Sequence, residues 1–139
     1  MLSKGSENRK YSPLIIFRAY TLRMAHLIIT SERVRLQLSI LEALGAIRTS
    51  PEIDLSEIES VEIVPNPWTS QVLKGFRIGT GFPYLVLLGT MKYIRGKDFC
   101  AIYKRRPNAV ITLKSGPFKR WIFEIKDMGE IEALKKALE

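Results

Sequence analysis

The residue types that most often perform catalysis or bind transition metals are scarce in this chain. Its 139 residues include one histidine, His26, and one cysteine, Cys100. One chain therefore cannot assemble a zinc site from nitrogen and sulfur ligands. A histidine base needs an orienting partner, and the sequence indicates none. We interpret His26 as a structural or surface residue and Cys100 as a buried thiol. The sequence predicts no catalytic residue, no metal site and no cofactor.

Two short patterns resemble functional motifs but have simpler explanations. The three glycines of the segment 75–81 resemble a phosphate loop. No Gly-Lys-Ser/Thr follows them, however, and the next segment is predicted to be a strand. Phosphate loops precede a helix, so these glycines are better explained by a tight bend. Glu57, Glu59 and Glu62 could supply paired carboxylates. Closely spaced acids are more often a solvated surface, because a raised carboxyl pKa requires burial.

The feature that stands out is an uneven distribution of charge. The net charge is +8, but 11 basic residues and one acid between Lys74 and Arg120 give a local balance of +10. Between Glu42 and Glu62, six acids and one base give −5. The candidate residues for binding an anion or a partner are Lys104, Arg105, Arg106, Lys114, Lys119 and Arg120. The aromatic residues that alternate with them are Phe99, Tyr103, Phe118 and Trp121.

This basic cluster has three interpretations. It can be a solvated edge that prevents strands from aggregating. It can bind an anion: nucleic acid, acidic lipid or an acidic protein segment. It can also meet the acidic segment of a second copy in a homodimer. The expected partner is a protein or an anionic ligand, with nucleic acid and peripheral membrane contact as alternatives.

Most of the chain alternates apolar and polar residues with the period of a strand. The predicted strands are 27–30, 33–40, 60–64, 84–94, 97–104, 109–114 and 118–126. Residues 65–83 contain three prolines and three glycines and are predicted to be a long connection. Gly89 predicts a kink within its strand. Turns at 105–108 and 115–116 predict two consecutive hairpins, which would place the basic cluster on neighbouring strands.

The sequence predicts one helix clearly and gives weaker helical signals in two other segments. Asp127, with Glu130 three residues later, predicts a capped C-terminal helix, and an apolar stripe at helical spacing follows. That stripe consists of Ile131, Leu134 and Leu138. Residues 41–46 have helical propensity but are short and interrupted by Gly45, which leaves helix and loop open. Ser56 and Glu59 resemble a second capping box and favour at most a single turn before the next strand.

Length and composition indicate one domain. Residues 1–12 are polar and basic and predict a flexible tail, and residues 13–139 form the predicted domain. The apolar stretch 13–30 contains Arg18 and Arg23, which argues against a membrane span or a signal peptide. A single cysteine is compatible with a cytoplasmic location, with contact at a membrane surface as an alternative. Few Asn and Gln beside many Ile, Lys and Glu are typical of thermophiles.

Four segments follow one another in the order found in a known family. The stretch 75–81 (GFRIGTG) precedes Gly89-Thr90-Met91, an aromatic strand over 98–103 and an apolar strand over 109–114. The earlier segments LIITSERVRL and IDLSEIESVEI fit the same pattern. Over residues 13–139 the chain resembles the bacterial and archaeal pleckstrin-homology-like domains.

The resemblance implies a mainly β fold in which about seven antiparallel strands form a nearly closed barrel capped by the C-terminal helix. Eukaryotic relatives bind lipid headgroups or peptides, usually through basic residues of the first hairpin. Arg18, Arg23 and Arg33 form no dense basic loop there, so phosphoinositide binding is not expected. We expect a non-enzymatic interaction module. The alternative is a nucleic-acid-binding β-barrel that uses the basic hairpins 104–120.

Overall fold

The computed structural model of this chain describes residues 25–46 and 50–139. The predicted tail 1–12, together with Arg18 and Arg23, lies outside these residues. The described part is mainly β and ends in a helix, as predicted. Its strands are β1 (His26–Ile29), β2 (Arg33–Gln37), β3 (Glu52–Asp54), β4 (Ile58–Val64), β5 (Phe76–Phe82), β6 (Val86–Tyr93), β7 (Gly96–Tyr103), β8 (Asn108–Leu113) and β9 (Arg120–Glu124). Its helices are α1 (Ile40–Ala46) and α2 (Met128–Ala137), and a 3-10 turn covers Leu55–Glu57.

The strands form two separate sheets. β1, β2 and β3 make a small antiparallel sheet in that order. The remaining strands form a six-stranded sheet in the order β4-β8-β9-β7-β6-β5. All of its neighbours are antiparallel except β7 and β9, which run parallel. β4 and β5 are therefore its two edges.

Both faces of the six-stranded sheet are covered. The face that we call the core face contributes Phe99, Ile111 and Trp121 to a core shared with the small sheet and α2. The opposite face contributes Leu87, Cys100, Ile102, Val110 and Ile122. Partly buried side chains of the segment between β4 and β5 cover this second cluster; they are Trp68, Val72 and Leu73. The sheet is thus the central layer of the domain.

The predicted, nearly closed barrel is not formed, because both sheets are open. The physical reason lies in β7, whose residues from Asp98 to Tyr103 are all buried. The outer face of a small antiparallel barrel is largely open to solvent, whereas a strand buried on both faces belongs to a sheet with a covering layer on each side. Closure would also require pairing between the edge strands β4 and β5, which do not pair.

One of the two predicted hairpins is confirmed and the other is wrong. β8 and β9 form a hairpin around the predicted turn at 115–116. β7 and β8 are joined by a turn but do not pair, because β9 lies between them. Asp98–Ala101 of β7 instead pairs in parallel with Arg120–Phe123 of β9. Turn residues predict where the chain bends, whereas the pairing depends on which strand fills the space beside β7.

The long connection predicted over 65–83 contains the edge strand β5. Its glycines occupy a ladder rather than a loop, since Gly79 faces Gly89 and Gly81 faces Leu87 in the β5–β6 register. Gly89 causes no break in β6. It has φ 144°, and a Cβ at this position would overlap the carbonyl oxygen of Ile78 in β5. Glycine at position 89 therefore permits the close approach of β5 to the sheet.

α1 settles the ambiguity over 41–46 in favour of a helix. Ser39 Oγ accepts a hydrogen bond from the Glu42 amide at 3.1 Å, and Glu42 Oε1 accepts one from the Ser39 amide at 2.9 Å. This reciprocal pair is a capping box. The buried Glu42 carboxylate also accepts hydrogen bonds from the Ala25 amide, at 2.8 Å, and from the Tyr103 hydroxyl. It thereby ties α1 to β7 and to the start of β1.

The two capping boxes predicted elsewhere are not formed. The 3-10 turn follows Asp54, which makes no side-chain capping bond, and Glu59 belongs to β4. α2 begins after Asp127 as predicted, because Asp127 Oδ1 accepts from the Gly129 amide at 2.9 Å. Glu130, however, accepts from the Leu27 amide of β1 at 3.1 Å. Its carboxylate therefore docks the helix on the small sheet instead of closing a box.

Candidate functional site

The six basic residues singled out in the sequence do not form one patch. Lys104, Arg105 and Arg106 follow the end of β7, whereas Lys114 and Lys119 belong to the turn between β8 and β9. β8 connects these two places and, at about 3.3 Å per residue, spans roughly 20 Å. The two groups therefore lie at opposite ends of the sheet.

Arg120, the sixth residue, is part of the structure's interior. Its Nη2 and Nε donate to Asp98 Oδ2 at 2.6 and 3.1 Å, and Nη2 also donates to the Val72 carbonyl oxygen at 2.6 Å. Asp98 is fully buried, and the Tyr93 hydroxyl donates to its other oxygen at 2.7 Å. Burial and the neighbouring Asp98 carboxylate raise the pKa of Tyr93 to about 12. Arg120 thus neutralises a buried carboxylate and is not presented to a ligand.

The turn after β7 is anchored by aromatic residues that the sequence analysis did not connect with it. Trp68 Nε1 donates to the Lys104 carbonyl oxygen at 2.6 Å. The Arg105 guanidinium lies 4.4 Å from the ring centre of Tyr84, a cation–π contact. Tyr84 in turn lies 5.7 Å from Trp68. The four aromatic residues that were expected to accompany the basic cluster are buried in the core: Phe99, Tyr103, Phe118 and Trp121.

Exposed apolar side chains concentrate on the hairpin of β5 and β6. Among the described residues, six of the ten large apolar side chains that are exposed lie between positions 76 and 94. We call this set the apolar edge; it consists of Phe76, Ile78, Phe82, Tyr84, Leu85 and Ile94. Scattered exposed apolar residues need no explanation, but their concentration along one hairpin is typical of an interaction surface.

Basic residues surround the apolar edge where β5 and β7 begin. We call Lys74, Lys92, Arg95 and Lys97 the basic rim. Lys92 and Lys97 are direct cross-strand partners in β6 and β7. The Lys97 ammonium lies 5.4 Å from the ring centre of Phe118, a cation–π contact. Like charges on neighbouring strands disfavour a sheet slightly, and a bound anionic group would offset this.

A surface cleft joins the basic rim to the apolar edge. Its volume is about 760 Å³, and its lining is mostly apolar. Phe76, Tyr93 and Ile94 contribute to the lining together with Lys74, Lys92 and Arg95. None of the described residues that line it is acidic. A ligand of this cleft would therefore combine apolar groups with negative charge.

The outer side of β5 has no neighbouring strand among the described residues. An edge strand presents unpaired backbone N–H and C=O groups to which another strand can bond. Arg77 lies on the face of β5 opposite to Ile78, and it borders a second apolar cleft of about 270 Å³ with Trp68 and Met91. β5 therefore offers a backbone edge, apolar side chains on one face and a cation on the other.

The lone histidine and the lone cysteine lie in different sheets. His26 is in β1, whereas Cys100 is in β7 and fully buried. Burial raises the pKa of the Cys100 thiol, which disfavours the reactive thiolate. Across residues 25–46 and 50–139, no three His, Cys, Asp or Glu side chains are grouped so as to hold a metal ion.

Two buried oxygens at the far end of the sheet have no hydrogen-bond partner within residues 25–46 and 50–139. Asn108 and Glu124 are cross-strand partners, and both Asn108 Oδ1 and Glu124 Oε1 are unpaired. Asn108 Nδ2 donates to the Arg106 carbonyl oxygen at 2.9 Å, and Arg106 Nη1 lies 3.2 Å from Glu124 Oε2. Burial raises the pKa of Glu124 despite this cation. The surroundings of Glu124 therefore disfavour its ionised form.

Replacing Glu124 with glutamine should raise the free energy of unfolding at pH 7 by about 1 kcal/mol. The amide supplies a donor beside Asn108 Oδ1 and carries no charge to desolvate. Because the folded-state pKa is raised, the cost of the wild-type carboxyl is absent below its ordinary pKa of 4.5 and grows as the pH rises through the folded value. Urea denaturation at pH 4 and pH 7 checks this: the advantage of glutamine should shrink at pH 4, and an equal difference at both would contradict it.

Comparisons with family models, curated proteins and solved structures gave no match for this chain. Neither of the described helices, α1 and α2, combines the length and the apolar character needed to cross a membrane.

Proposed function

We propose that this chain is a non-enzymatic interaction module that binds an acidic, partly apolar segment of a partner protein along the edge of β5. The observation behind the proposal is the coincidence of three features on one hairpin. These are a strand edge that pairs with no further described strand, the apolar edge and the basic rim. Each is common by itself, but a charged edge strand that only prevents aggregation would have no reason to expose a row of large apolar side chains.

The binding mode would be the addition of one strand to the sheet. Backbone hydrogen bonds to the outer side of β5 would supply affinity, and alternate side chains would supply specificity. On the core face, Phe76 and Ile78 would contact apolar residues of the partner. Acidic residues of the partner would lie near Lys74 and, on the opposite face, near Arg77.

The resemblance to pleckstrin-homology-like domains belongs to this proposal. Consecutive short strands followed by a capped terminal helix support it, and the role of peptide binder in that family agrees with strand addition. The open sheets are a departure from the pattern of that family. A cytoplasmic location is likewise part of the proposal, in agreement with a single, buried cysteine.

A second candidate function, binding of single-stranded nucleic acid, is favoured by the turn after β7. There Trp68 and Tyr84 provide aromatic surfaces beside Arg105, which is the combination on which bases stack. This surface lies at the far end of the apolar edge from the basic rim. Binding of a single-stranded RNA oligonucleotide that is weakened by Tyr84→Ala and unaffected by changes in β5 would support this function over the first.

The proposal is tested with a labelled peptide that alternates glutamate and valine, measured by fluorescence anisotropy at low salt. Its counterpart alternates lysine and valine. We expect the protein to bind the acidic peptide and not the basic one. Lys74→Glu combined with Arg77→Glu should weaken binding about tenfold or more, because attraction becomes repulsion at the strand edge.

The matched control is Lys135→Glu combined with Lys136→Glu. It changes the net charge by the same amount on exposed residues of α2, which packs on β1. Its loss of affinity should be much smaller than that of the β5 variant, since no direct contact at the strand edge changes from attraction to repulsion. Equal losses of affinity in the two double variants would show that the effect comes from the net charge alone. Equal binding of both peptides would overturn the proposal.

A further inference from the structure

The other edge of the six-stranded sheet is acidic. β4 contains Glu59 and Glu62, both exposed, and Glu57 directly precedes it. The outer side of β4 has no neighbour among the described strands. One sheet therefore ends in a basic strand on one side and in an acidic strand on the other.

The two edge strands also place side chains of the same kind on the same face of the sheet. In β4, Val61 and Ile63 are on the core face, where they pair with Ile111 and Ala109, and Glu62 is on the opposite face. Ile63 is exposed. In β5, Ile78 and Phe76 are on the core face and Arg77 is on the opposite one, because side chains alternate along a strand. If β4 of one copy continued the sheet of another, apolar residues would meet apolar residues and Glu62 would share a face with Arg77.

The directions of the strands select one kind of assembly. Following the pairings across the sheet, β4 and β5 both begin at the same end of it. Two copies in the same orientation can therefore place β4 beside β5 as a parallel pair. A twofold dimer would instead join β5 to β5 or β4 to β4, and each of these opposes like charges. The heterologous contact, which propagates from copy to copy, is the favourable one.

From this complementarity we infer that the partner strand is β4 of a second copy of this chain, so that copies associate head to tail through their sheet edges. The inference rests on the proposed function, since it names the occupant of the β5 edge. It replaces the homodimer expected from the charge asymmetry with an open-ended or ring-shaped series of copies. Salt should weaken the association, because the exposed charges at the contact are screened.

Sedimentation velocity over a series of concentrations tests the inference. We expect the average mass of the wild-type chain to rise with concentration at low salt and to fall on adding salt. Lys74→Glu with Arg77→Glu makes both edges acidic, and Glu59→Lys with Glu62→Lys makes both edges basic. Each variant alone should remain a monomer, and an equimolar mixture should associate again. A wild-type chain that stays monomeric up to roughly 1 mM, the range of weak contacts, would overturn the inference.

Chemical cross-linking provides a second measurement that leaves the charges unchanged. Ile63→Cys and Ile78→Cys place one exposed thiol each on β4 and β5, while the native Cys100 is buried. A short bis-maleimide should join the two variants when mixed and should join neither variant to itself. Self-linking of either variant as efficient as mixed linking would contradict the head-to-tail arrangement. Binding of the acidic peptide by a monomeric wild-type chain would reject only the second copy as partner, whereas failure of that peptide to bind would reject the proposed function itself.

Discussion

Replacing Arg120 with methionine should lower the free energy of unfolding by about 3–5 kcal/mol, the cost of leaving a buried carboxylate without its cation. Asp98 is fully buried, and Arg120 supplies two of the three side-chain hydrogen bonds that it accepts. Only the Tyr93 hydroxyl would remain. The Val72 carbonyl oxygen would lose a donor as well, which should loosen the segment that covers the second hydrophobic cluster. Urea denaturation followed by circular dichroism measures the change.

The double variant Asp98→Asn with Arg120→Met is the control for this prediction. A neutral amide can still accept from the Tyr93 hydroxyl, and no charge remains to be desolvated. Replacing both members of a buried pair is commonly far less costly than removing one. We expect the double variant to recover most of the lost stability. If Arg120→Met alone unfolds like the wild type, the pair does not anchor β7 to β9 as described.

Replacing Gly89 with alanine should lower the free energy of unfolding by about 2–4 kcal/mol and detach β5 from the sheet. The substitution combines two costs. A φ of 144° is strained for an L-residue, and the added Cβ would overlap the Ile78 carbonyl oxygen. Because β5 is an edge strand, it can relieve the overlap by moving outward. Amide exchange in Phe76–Phe82 should accelerate, and binding of the acidic peptide should weaken in parallel.

Gly116→Ala separates the two costs. Gly116 also has a positive φ, of 95°, but its nearest neighbour would be the Ile53 side chain at an ordinary 3.4 Å. This variant should lose about 1 kcal/mol from backbone strain alone and keep β5 protected. If the two variants are equally stable, the close approach of β5 to β6 is not what requires glycine at position 89.

The sequence predicts those parts of the fold whose signals are local. Alternation locates β2, the turn at 105–108 locates the start of β8, and the Ser115–Gly116 turn locates the β8–β9 hairpin correctly. Asp127 marks the start of α2. The capping box of α1, Ser39 and Glu42, is present in the sequence, but the alternation over 33–40 predicts one continuous strand there and hides it.

Some elements differ from the prediction because their position depends on pairing with strands that are distant in sequence. The glycines of β5 resemble a loop until β6 is known to pack closely against them. The insertion of β9 between β7 and β8 leaves no trace in the turn at 105–108. Lys104–Arg106 and Lys114 with Lys119 are separated for another reason, because they lie at the two ends of β8. The open sheets follow from burial of β7 on both faces. The apolar composition of β7 alone does not show whether it lies in such a sheet or in the wall of a barrel.

Of the candidate site, the sequence predicts only that basic residues contribute to it. The excess of basic residues between Lys74 and Arg120 is visible in the sequence, but nearness in sequence does not predict which of them share a surface. Of these, Arg120 is bound to Asp98 and Arg106 lies beside Glu124. The apolar edge could not be recognised because Phe76, Ile78 and Phe82 look like core residues until the strand order makes β5 an edge. Edge strands are identified by topology, not by composition.

The most direct test of the β5 edge as the interaction surface is hydrogen–deuterium exchange with and without the acidic peptide. Strand addition places new hydrogen bonds on the backbone of β5, so amides within Phe76–Phe82 should become protected while those of the turn at 114–119 stay unchanged. Protection confined to the turn after β7, or no new protection in β5 when the peptide is bound, would contradict this account.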